Sequence, residues 1–430
     1  MKKLPKLGRK QKVFSQLIVL CIAGAAFFMR DVIEANWNYN SVYAAAKAEG
    51  AIITADDLRK RYGAKDEENA APILQVAIDR WNTIPKAKQE SIGDVVRDSL
   101  SYDGIRFYSN RKKDRISLTE ALKITDWVMA DIQSSMRKSS CDFKYKWELG
   151  SALSFPELAP LRLMCRALSV QGRSLAHSGH TQEAVAKFKL ALHLGDLIAD
   201  TPAIFPKLFK FRIDEELFRE MSSAAKNRPK DAQLRLLLRT LAIDSQKPFG
   251  ARAAFDGLLF SIRTMAKEPP SVLEPHASIP GVQRSWRTRA LESCIRIHRA
   301  TKDLPEDPIL LGEALSQTKE DPLADQPGLS NTWNAILMPA YWQVGVRILE
   351  DIANRELLLA SLDVLDERQR LGHWPSTLPV DRRDPFGSGS LRYRVDGEHA
   401  RIWSIGKDHK DSGGKTKKED KESDDLVVRL

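Results

Sequence analysis

The residues of this chain that are best suited to chemistry are the aspartates and glycines of its C-terminal segment, Gly372 to Leu430. Carboxylates beside glycine-rich turns supply the oxygen donors that a hard cation such as calcium prefers. The same segment carries four lysines between Lys415 and Ser423, and acidic residues beside lysines often form only a solvated charged turn. A cation site and a solvated turn are therefore both open interpretations.

The patterns that mark common enzyme sites are absent from the sequence. It holds no Gly-x-x-x-x-Gly-Lys phosphate loop, no Gly-x-Ser-x-Gly nucleophile turn and no His-Glu-x-x-His zinc motif. His177, His180 and His193 could bind zinc together, but paired histidines at a helix end without a nearby carboxylate are more often surface residues. Three acidic residues on a later helix are interpreted as exposed, solvated charge: Asp363, Asp366 and Glu367. The sequence therefore predicts no enzymatic activity, with an enzyme whose site no motif links as the alternative.

The net charge of +10 is concentrated at the N-terminus of the 430-residue chain. Six basic residues and no acidic residue occur in the first twelve positions, and subtracting these six charges leaves +4 for the rest. This balance is ordinary for a chain of this size, and no basic face with interleaved aromatic residues follows. We therefore expect no binding to nucleic acid.

An uncharged, mostly apolar stretch of 17 residues, Val13 to Met29, follows the basic residues. This length is at the short limit for crossing about 30 Å of hydrocarbon, and the basic residues favour a cytoplasmic N-terminus. We expect 1–12 to be a cytoplasmic tail and 13–29 a transmembrane signal anchor. The bulk of the chain would then be periplasmic, in a single-pass protein of the inner membrane. The alternatives are a buried core helix and a signal peptide with the cleavage site Ala23-Gly24-Ala25.

The cysteines point to neither a disulfide scaffold nor a metal site. Cys21 lies in the predicted anchor, and Cys141, Cys165 and Cys294 have no metal-like spacing. A disulfide between Cys141 and Cys165 is one interpretation for an exported protein. However, Cys165 and Cys294 fall in helical patterns, where cysteine more often packs as a small apolar residue.

Residues 30–340 are predicted to form a helical exported domain. Thr54 and Asp57 have the spacing of a capping box, and Asn69 is placed to cap the next helix, with a functional role for this residue as the alternative. Further helical patterns cover 206–226, 230–243, 252–267 and 285–302, whereas the proline-containing stretch 303–327 is predicted to be a long loop or a boundary.

The strongest helical pair in this region has the residue spacing of one tetratricopeptide unit. In such units small residues let two antiparallel helices nest, and the corresponding residues here are Gly172, Ala176, Gly179, Ala184, Phe188 and Ala191. No second copy follows at a period of about 34 residues, and a stable solenoid needs at least about three units. We therefore predict a helical hairpin inside a larger helical domain.

Residues 341–430 are predicted to form a long helix followed by a small sheet. Apolar residues recur at helical spacing from Tyr341 to Arg370, and Gly372 ahead of Pro375 ends the pattern. Behind this break the periodicity changes to short alternating strands separated by turn residues. The fold class is thus mainly α, with a small α+β C-terminal module that contains a short antiparallel sheet.

This tail resembles the C-terminal domain of the major pseudopilin of type II secretion systems. In that family a long helix ends in a Gly-x-Tyr-Pro turn and packs on a small antiparallel sheet, and an Asp-Pro-aromatic-Gly turn and a Ser-x-Gly-x-Asp loop are hallmarks. The matching residues are Gly372, Trp374 in place of tyrosine, Pro375, Asp384 to Gly387, Tyr393, Ser404, Gly406, Asp408, Gly413, Gly414, Asp424 and Asp425. The resemblance is limited to this last part of the chain.

The last loop of the pseudopilin domain binds calcium through aspartates and backbone carbonyls. The resemblance therefore implies Asp408, Asp424 and Asp425 as calcium ligands, with Asp411 as an additional carboxylate. Several oxygen donors and glycines that permit tight wrapping suit this cation.

The N-terminus departs from the pseudopilin family, whose members have a Gly-Phe cleavage site before their apolar helix. Here Gly8 is followed by Arg9, so we expect no polymerisation through the N-terminal helix. The layout resembles bacterial single-pass proteins with a helical exported region and a pseudopilin-like C-terminus. We expect a structural or protein-interaction component at the membrane. An accessory subunit of a type II secretion or pseudopilus-like apparatus is the alternative.

Overall fold

The computed structural model of this chain is mainly helical and ends in a small antiparallel sheet, as the sequence predicts. It describes residues 29–30, 33–34, 37–100, 116–247, 249–265, 282–316 and 329–430. The predicted anchor, 13–29, therefore lies outside the described residues except for Met29. Within the described residues, no helix combines the length and the apolar character that a membrane span requires.

The α-helices are numbered here in chain order. A helical stretch at 37–48 precedes them, and 3₁₀ helices occupy Ile132–Arg137 and Trp147–Ala152. The α-helices are α1 (Ala55–Tyr62), α2 (Ala71–Asn82), α3 (Lys86–Asp98), α4 (Leu118–Val128), α5 (Leu158–His177), α6 (Thr181–Ala199), α7 (Ile204–Asn227), α8 (Ala232–Asp244), α9 (Ala251–Met265), α10 (Val282–Lys302), α11 (Pro308–Ser316) and α12 (Leu329–Leu371).

The two predicted helix starts have different structural roles. At α1 the capping box is present, because Thr54 Oγ1 accepts from the Asp57 amide at 3.0 Å and Asp57 Oδ2 accepts from the Thr54 amide at 2.8 Å. Asn69 is buried, and Ala70 is the N-cap of α2. The Asn69 side chain accepts from the amides of Ala71 and Asp142 and donates to the Asp142 carbonyl. It therefore joins the start of α2 to a distant segment, a structural role that the spacing alone does not indicate.

Helices α5, α6 and α7 pack against one another and form the centre of the main core. Gly172 of α5 faces Phe188 of α6, and a Cβ atom added at Gly172 would lie 2.8 Å from the Phe188 ring. Phe188 is fully buried there. The close approach predicted from the small residues of this pair is thus confirmed, because glycine leaves the space that the aromatic ring fills.

Helix α12 connects the parts of the fold. Residues 357–365 are all buried, and nine consecutive residues cover every face of a helix, so this part is surrounded by protein. Leu357 to Leu365 belong to the main core together with α5 to α8 and the C-terminal sheet. Nearer its start, Val344, Ile348 and Ile352 pack in a second core with α9, α10 and α11.

The C-terminal sheet has the strand order β1 (Arg392–Asp396), β2 (His399–Ser404) and β3 (Leu426–Arg429), and both pairs are antiparallel. In β2, Ala400 and Ile402 are buried in the main core, whereas His399 is exposed. Gly372, at a φ of +78°, follows the last residue of α12, as the helix-ending glycine predicts. The sheet therefore packs on the long helix that leads into it.

Two boundaries differ from those predicted. Part of the expected loop 303–327 forms α11, where Asp307 Oδ1 accepts from the amides of Ile309 and Leu310 and so caps the helix. The loop prediction is wrong there because nine residues give too short an apolar pattern to stand out among prolines. Helix α12 begins twelve residues before Tyr341, since Pro339 lies inside the helix rather than at its start. The predicted domain boundary at 340/341 consequently falls within α12.

The three described cysteines are buried free thiols, so the disulfide interpretation is wrong and the apolar-packing interpretation is confirmed. Cys165 and Cys294 lie in the two cores. Burial raises the pKa of the Cys165 and Cys141 thiols above their usual range, which keeps both thiols protonated.

Replacement by alanine should change the stability of the protein in opposite directions at Gly172, which contacts Phe188, and at Gly93. Gly172→Ala should destabilise the protein by about 1–2 kcal/mol, because the steric cost exceeds the gain in helix propensity. At Gly93 of α3 an added Cβ would have no neighbour within 4 Å in the described part of the chain, so Gly93→Ala should stabilise by about 0.5–1 kcal/mol.

Urea unfolding of the full chain measures both variants. Equal stabilisation of the two would show that α5 and α6 do not approach closely at Gly172.

Candidate functional site

The Asp-Pro-aromatic-Gly turn of the tail is organised by one buried carboxylate. Asp384 is 0% exposed, and its two oxygens accept four hydrogen bonds. The donors are the Phe386 amide (3.1 Å), the Ser404 hydroxyl (2.6 Å), the Ile405 amide (3.1 Å) and the Arg392 guanidinium (2.7 Å). Asp384 thereby fixes the turn to the end of β2, which is a structural role.

The loop between β2 and β3, residues 406–425, is called here the aspartate loop. The two ends of the loop lie against each other. Gly406 is so close to Asp424 that a Cβ atom added at Gly406 would be 1.9 Å from the carbonyl oxygen of Asp424. Gly406 also has a φ of +67°, so glycine is required at this position for both reasons. The Ser-x-Gly-x-Asp motif that the resemblance singled out therefore closes the loop.

All four predicted calcium ligands lie in this loop, and two of them, Asp411 and Asp425, bind backbone amides of the loop. Asp425 is 8% exposed and accepts from the amides of Gly414 (2.9 Å) and Ser412 (3.4 Å). Asp411 Oδ1 accepts from the Trp403 indole at 2.9 Å and from the Gly413 amide at 2.8 Å. Burial raises the pKa of Asp425, and the neighbouring charges of Asp411 and Asp408 act in the same direction.

The other two predicted ligands have different surroundings. Asp424 is paired with Lys417 at 2.7 Å and with Lys407 at 3.8 Å, so two ammonium groups already neutralise it. Asp408 accepts from the Lys410 amide at 3.1 Å in a local turn. Among the described residues, no three His, Cys, Asp or Glu side chains form a group suited to a metal ion. Calcium binding by Asp408, Asp411, Asp424 and Asp425 thus stays a prediction.

The acidic residues late in α12 are not the exposed, solvated set that the sequence predicts. Asp363 is buried, with Oδ1 2.8 Å from the Arg239 guanidinium of α8 and Oδ2 2.7 Å from the Arg382 guanidinium in the loop before β1. Asp366 binds Arg239 at 2.8 Å and also contacts Arg235. That prediction is wrong because the arginines that cover these acids come from elements distant in sequence. Asp366 and Glu367 are both half-buried, and Glu367 pairs with Arg370 of its own helix.

A cavity of about 730 Å³ lies between α1, α6, α7, the start of α9 and α12, and is called here the charged cavity. Its lining contains seven lysine or arginine residues and four acidic ones, which gives it a basic excess. No local sequence pattern indicates it, because its charged residues come from at least five separate segments. The signal that could have suggested it is the pair of lysines early in α7, Lys207 and Lys210, in an otherwise apolar run.

Lys207 is the most unusual side chain of the charged cavity. It is only 5% exposed, and its ammonium donates to the Ala199 carbonyl at the end of α6 at 2.6 Å. The ammonium also lies 5.7 Å from the centre of the Phe249 ring. Burial lowers the pKa of Lys207 to about 8; the charge of Asp200 opposes this shift and that of Lys210 adds to it.

Lys210, one turn further along α7, has a full set of ionic partners. It binds Asp214 of its own helix and lies 3.3 Å from Asp196 of α6. Burial acts to lower the pKa of Lys210, but these carboxylates hold it above its usual range. Lys210 thus has protein carboxylates as partners, whereas Lys207 has none in ion-pair distance among the described residues. This difference matters for the binding of an anion.

The three histidines considered for zinc lie in separate environments. His180 Nδ1 is 3.2 Å from Glu183, and His193 Nε2 is 2.8 Å from the Ser135 carbonyl. His177 lies in the last turn of α5. The structure does not bring them into one site.

No protein-family model, curated protein or solved structure matches this chain. The pseudopilin resemblance of the tail therefore stays a prediction that depends on its motif residues.

The Asp363 contacts predict a clear difference between two carboxylates of the same helix. Asp363→Asn should cost about 2 kcal/mol of unfolding free energy, because Arg239 and Arg382 each lose one of two carboxylate partners at a largely buried position and keep only Asp366 and Glu356. Glu367→Gln, one turn further along α12, should leave the melting temperature unchanged, since its pair with Arg370 is at the surface.

Thermal and urea unfolding of both full-length variants measure this difference. An Asp363→Asn variant as stable as Glu367→Gln would show that the carboxylate is not the link between α8, α12 and the tail.

The calcium prediction is tested on the full-length chain, because the sheet shares its core with the helices. Millimolar calcium should raise the melting temperature, and the double variant Asp424→Asn, Asp425→Asn should lose this response. Magnesium should have a smaller effect, since it demands a tighter octahedral set of ligands. An unchanged melting temperature and no heat of binding at millimolar calcium would end the prediction.

Proposed function

We propose that this protein is a non-enzymatic structural or protein-interaction component, anchored in the inner membrane by residues 13–29 and exported beyond them. The observation that supports this role best is the integration of the C-terminal sheet with the helices through α12. One folded body, built from two cores that share a helix, presents a fixed surface to a partner. Such a body on a single membrane tether is typical of a scaffold component.

The N-terminal end of the described chain supports the anchor. Residues 29–30, 33–34 and 37–48 are helical, and Met29, Ile33 and Trp37 are exposed by 53%, 49% and 84%. Positions 29, 33 and 37 are four residues apart in the sequence, the spacing at which apolar residues share one side of a helix. Tryptophan is enriched at the membrane–water interface, where its ring is partly apolar and partly polar.

The surface of the helical body supports an interaction role. Phe205, near the start of α7, is 58% exposed, and its ring stacks with Phe155 at 6.3 Å and contacts Phe209 at 6.3 Å. The Arg162 guanidinium lies 5.4 Å from the Phe209 ring centre. Aromatic and arginine side chains are the residues most enriched where proteins bind one another. The helical pair α5–α6, with its single tetratricopeptide-like unit, belongs to the same body.

An accessory subunit of a type II secretion or pseudopilus-like apparatus is the second candidate. Its support is the arrangement of the tail, in which a long helix ends at a glycine and packs on a three-stranded antiparallel sheet. This is the arrangement that the pseudopilin resemblance implies. The enzyme alternative has the charged cavity in its favour, but most of the charges in it form ion pairs rather than surrounding a nucleophile.

The anchor is tested by placing charge in the apolar segment. Replacing Leu17 and Leu20 by arginine costs about 2.5–3.5 kcal/mol for each residue near the centre of a membrane helix, so both together should abolish insertion. Leu4→Arg, in the basic tail, is the matched control and should leave insertion intact. Cell fractionation with carbonate washing, and protease digestion of spheroplasts, measure the membrane-bound and the exported fraction.

Three outcomes would contradict the proposal. The unaltered chain in the soluble fraction would exclude an anchor, and a mature N-terminus at Ala26 would establish a cleaved signal peptide instead. Protection of the bulk of the chain in spheroplasts would exclude export. Loss of type II secretion in cells without this chain would favour the apparatus subunit, whereas unchanged secretion would favour the structural role.

A further inference from the structure

We propose that the charged cavity is a binding site for a small organic phosphate, with the Lys207 ammonium as the group that holds the phosphate. The cavity volume of about 730 Å³ is within the range of small-molecule sites in proteins, about 300–1,000 Å³. Lysine is a common ligand of phosphate groups, because its ammonium is a compact positive charge with three donors.

The first line of support is the unused donor capacity of Lys207. Its ammonium has three N–H donors, and among the described residues the only hydrogen bond it makes is to the Ala199 carbonyl. No carboxylate of these residues lies within ion-pair distance of it. A nearly buried ammonium without a carboxylate partner is costly, and an anionic ligand would supply the missing charge.

Three other cations of the cavity lining are paired with carboxylates of the protein, whereas Asp200, whose charge acts on Lys207, accepts from the Cys141 amide. Lys210 binds Asp214 and Asp196, Lys247 lies 2.6 Å from Asp196, and Arg355 binds Asp351 at 2.9 Å. Among the described lining residues, Lys207 and Lys138 are the cations without a carboxylate in ion-pair distance, and Lys207 is the buried one of the two, whereas Lys138 donates to the Glu67 carbonyl at the rim. An anion bound at Lys210, Lys247 or Arg355 would have to compete with a protein carboxylate.

The second line of support is a pair of buried polar atoms on the α12 wall of the cavity. Among the residues that the structure describes, Asp351 Oδ1 and Arg355 Nε have no hydrogen-bond partner, although both side chains are more than nine-tenths buried. Such atoms are uncommon in folded proteins and require a partner. Both atoms are inaccessible from the open space of the cavity as it stands, so a ligand hydroxyl would donate to Asp351 Oδ1, and a ligand oxygen would accept from Arg355 Nε, only after a shift of these side chains.

The size and the apolar part of the lining favour an organic phosphate over inorganic phosphate. Phe211 and Phe249 both line the cavity, and their rings are stacked with centres 5.4 Å apart. This pair provides an apolar wall beside the lysine, which an inorganic ion cannot use. A phosphate monoester with a short hydroxylated carbon chain matches the lysine, the aromatic pair and the two buried polar atoms together.

Isothermal titration of the purified full-length chain with glycerol phosphate tests the proposal. We expect saturable binding, with Lys207→Met weakening it by about tenfold or more, because the charge-assisted hydrogen bond is lost while most of the apolar length of the side chain is kept. Lys189→Met, an exposed lysine of α6 outside the cavity, is the matched control and should bind as the unaltered chain does. Inorganic phosphate should bind more weakly than glycerol phosphate, and glycerol alone should not bind.

Hydrogen exchange of the unaltered chain provides a measurement that does not depend on the folding of a variant. Glycerol phosphate should slow amide exchange in segments 196–212 and 249–256, which line the cavity. No heat of binding at millimolar glycerol phosphate, equal affinity of Lys207→Met, or protection confined to other segments would each overturn the proposal. If no heat of binding is found, the role of Lys207 is only to donate a hydrogen bond to the Ala199 carbonyl at the end of α6.

Discussion

The joining of the helical body to the C-terminal sheet depends on the ion pairs of one carboxylate, that of Asp363. One oxygen binds Arg239 of the helical body, and the other binds Arg382 in the segment that leads to the sheet. One oxygen of Asp363 therefore binds the helical body, and the other binds the segment before the sheet. A carboxylate in this position sets the distance between the two parts more strictly than apolar contact, because a charge-assisted hydrogen bond requires a defined geometry.

This constraint follows from the burial of α12. A helix that is exposed on one side can place its charged residues there, but residues 357–365 have no exposed side. Charged residues in such a helix must find partners from its neighbours, since an unpaired buried charge costs several kcal/mol. Glu356 and Asp363 both find Arg382, and Asp366 finds Arg235 and Arg239. Asp363 is the acid of the fully buried stretch, whereas Glu356 and Asp366, which flank this stretch, are half-buried and reach the same arginines from its two ends.

The sequence predicts the local features of this fold well and the long-range ones poorly. The capping box at Thr54, the nesting of Gly172 with Phe188 and the helix end before Gly372 each depend on residues a few positions apart or on a known pairing of small and large residues. The pairing of Asp363 with Arg382 and Arg239, and the site around Lys207, depend on residues brought together only by packing. Periodicity indicates which face of a helix is apolar, but it does not show which arginine of another element will cover an acid.

The same distinction explains the two candidate sites. The aspartate loop is local, so its residues could be named from the sequence, but the structure assigns most of their oxygens to amides, an indole and lysines of the loop itself. The charged cavity is non-local and had no motif, yet it contains Lys207, a buried lysine with no carboxylate in ion-pair distance among the described residues. A group whose partners lie within the protein explains the fold, whereas a buried group whose partners are missing points to a molecule outside it. On that criterion Lys207, Asp351 and Arg355 are better evidence for a ligand than the aspartates of the tail.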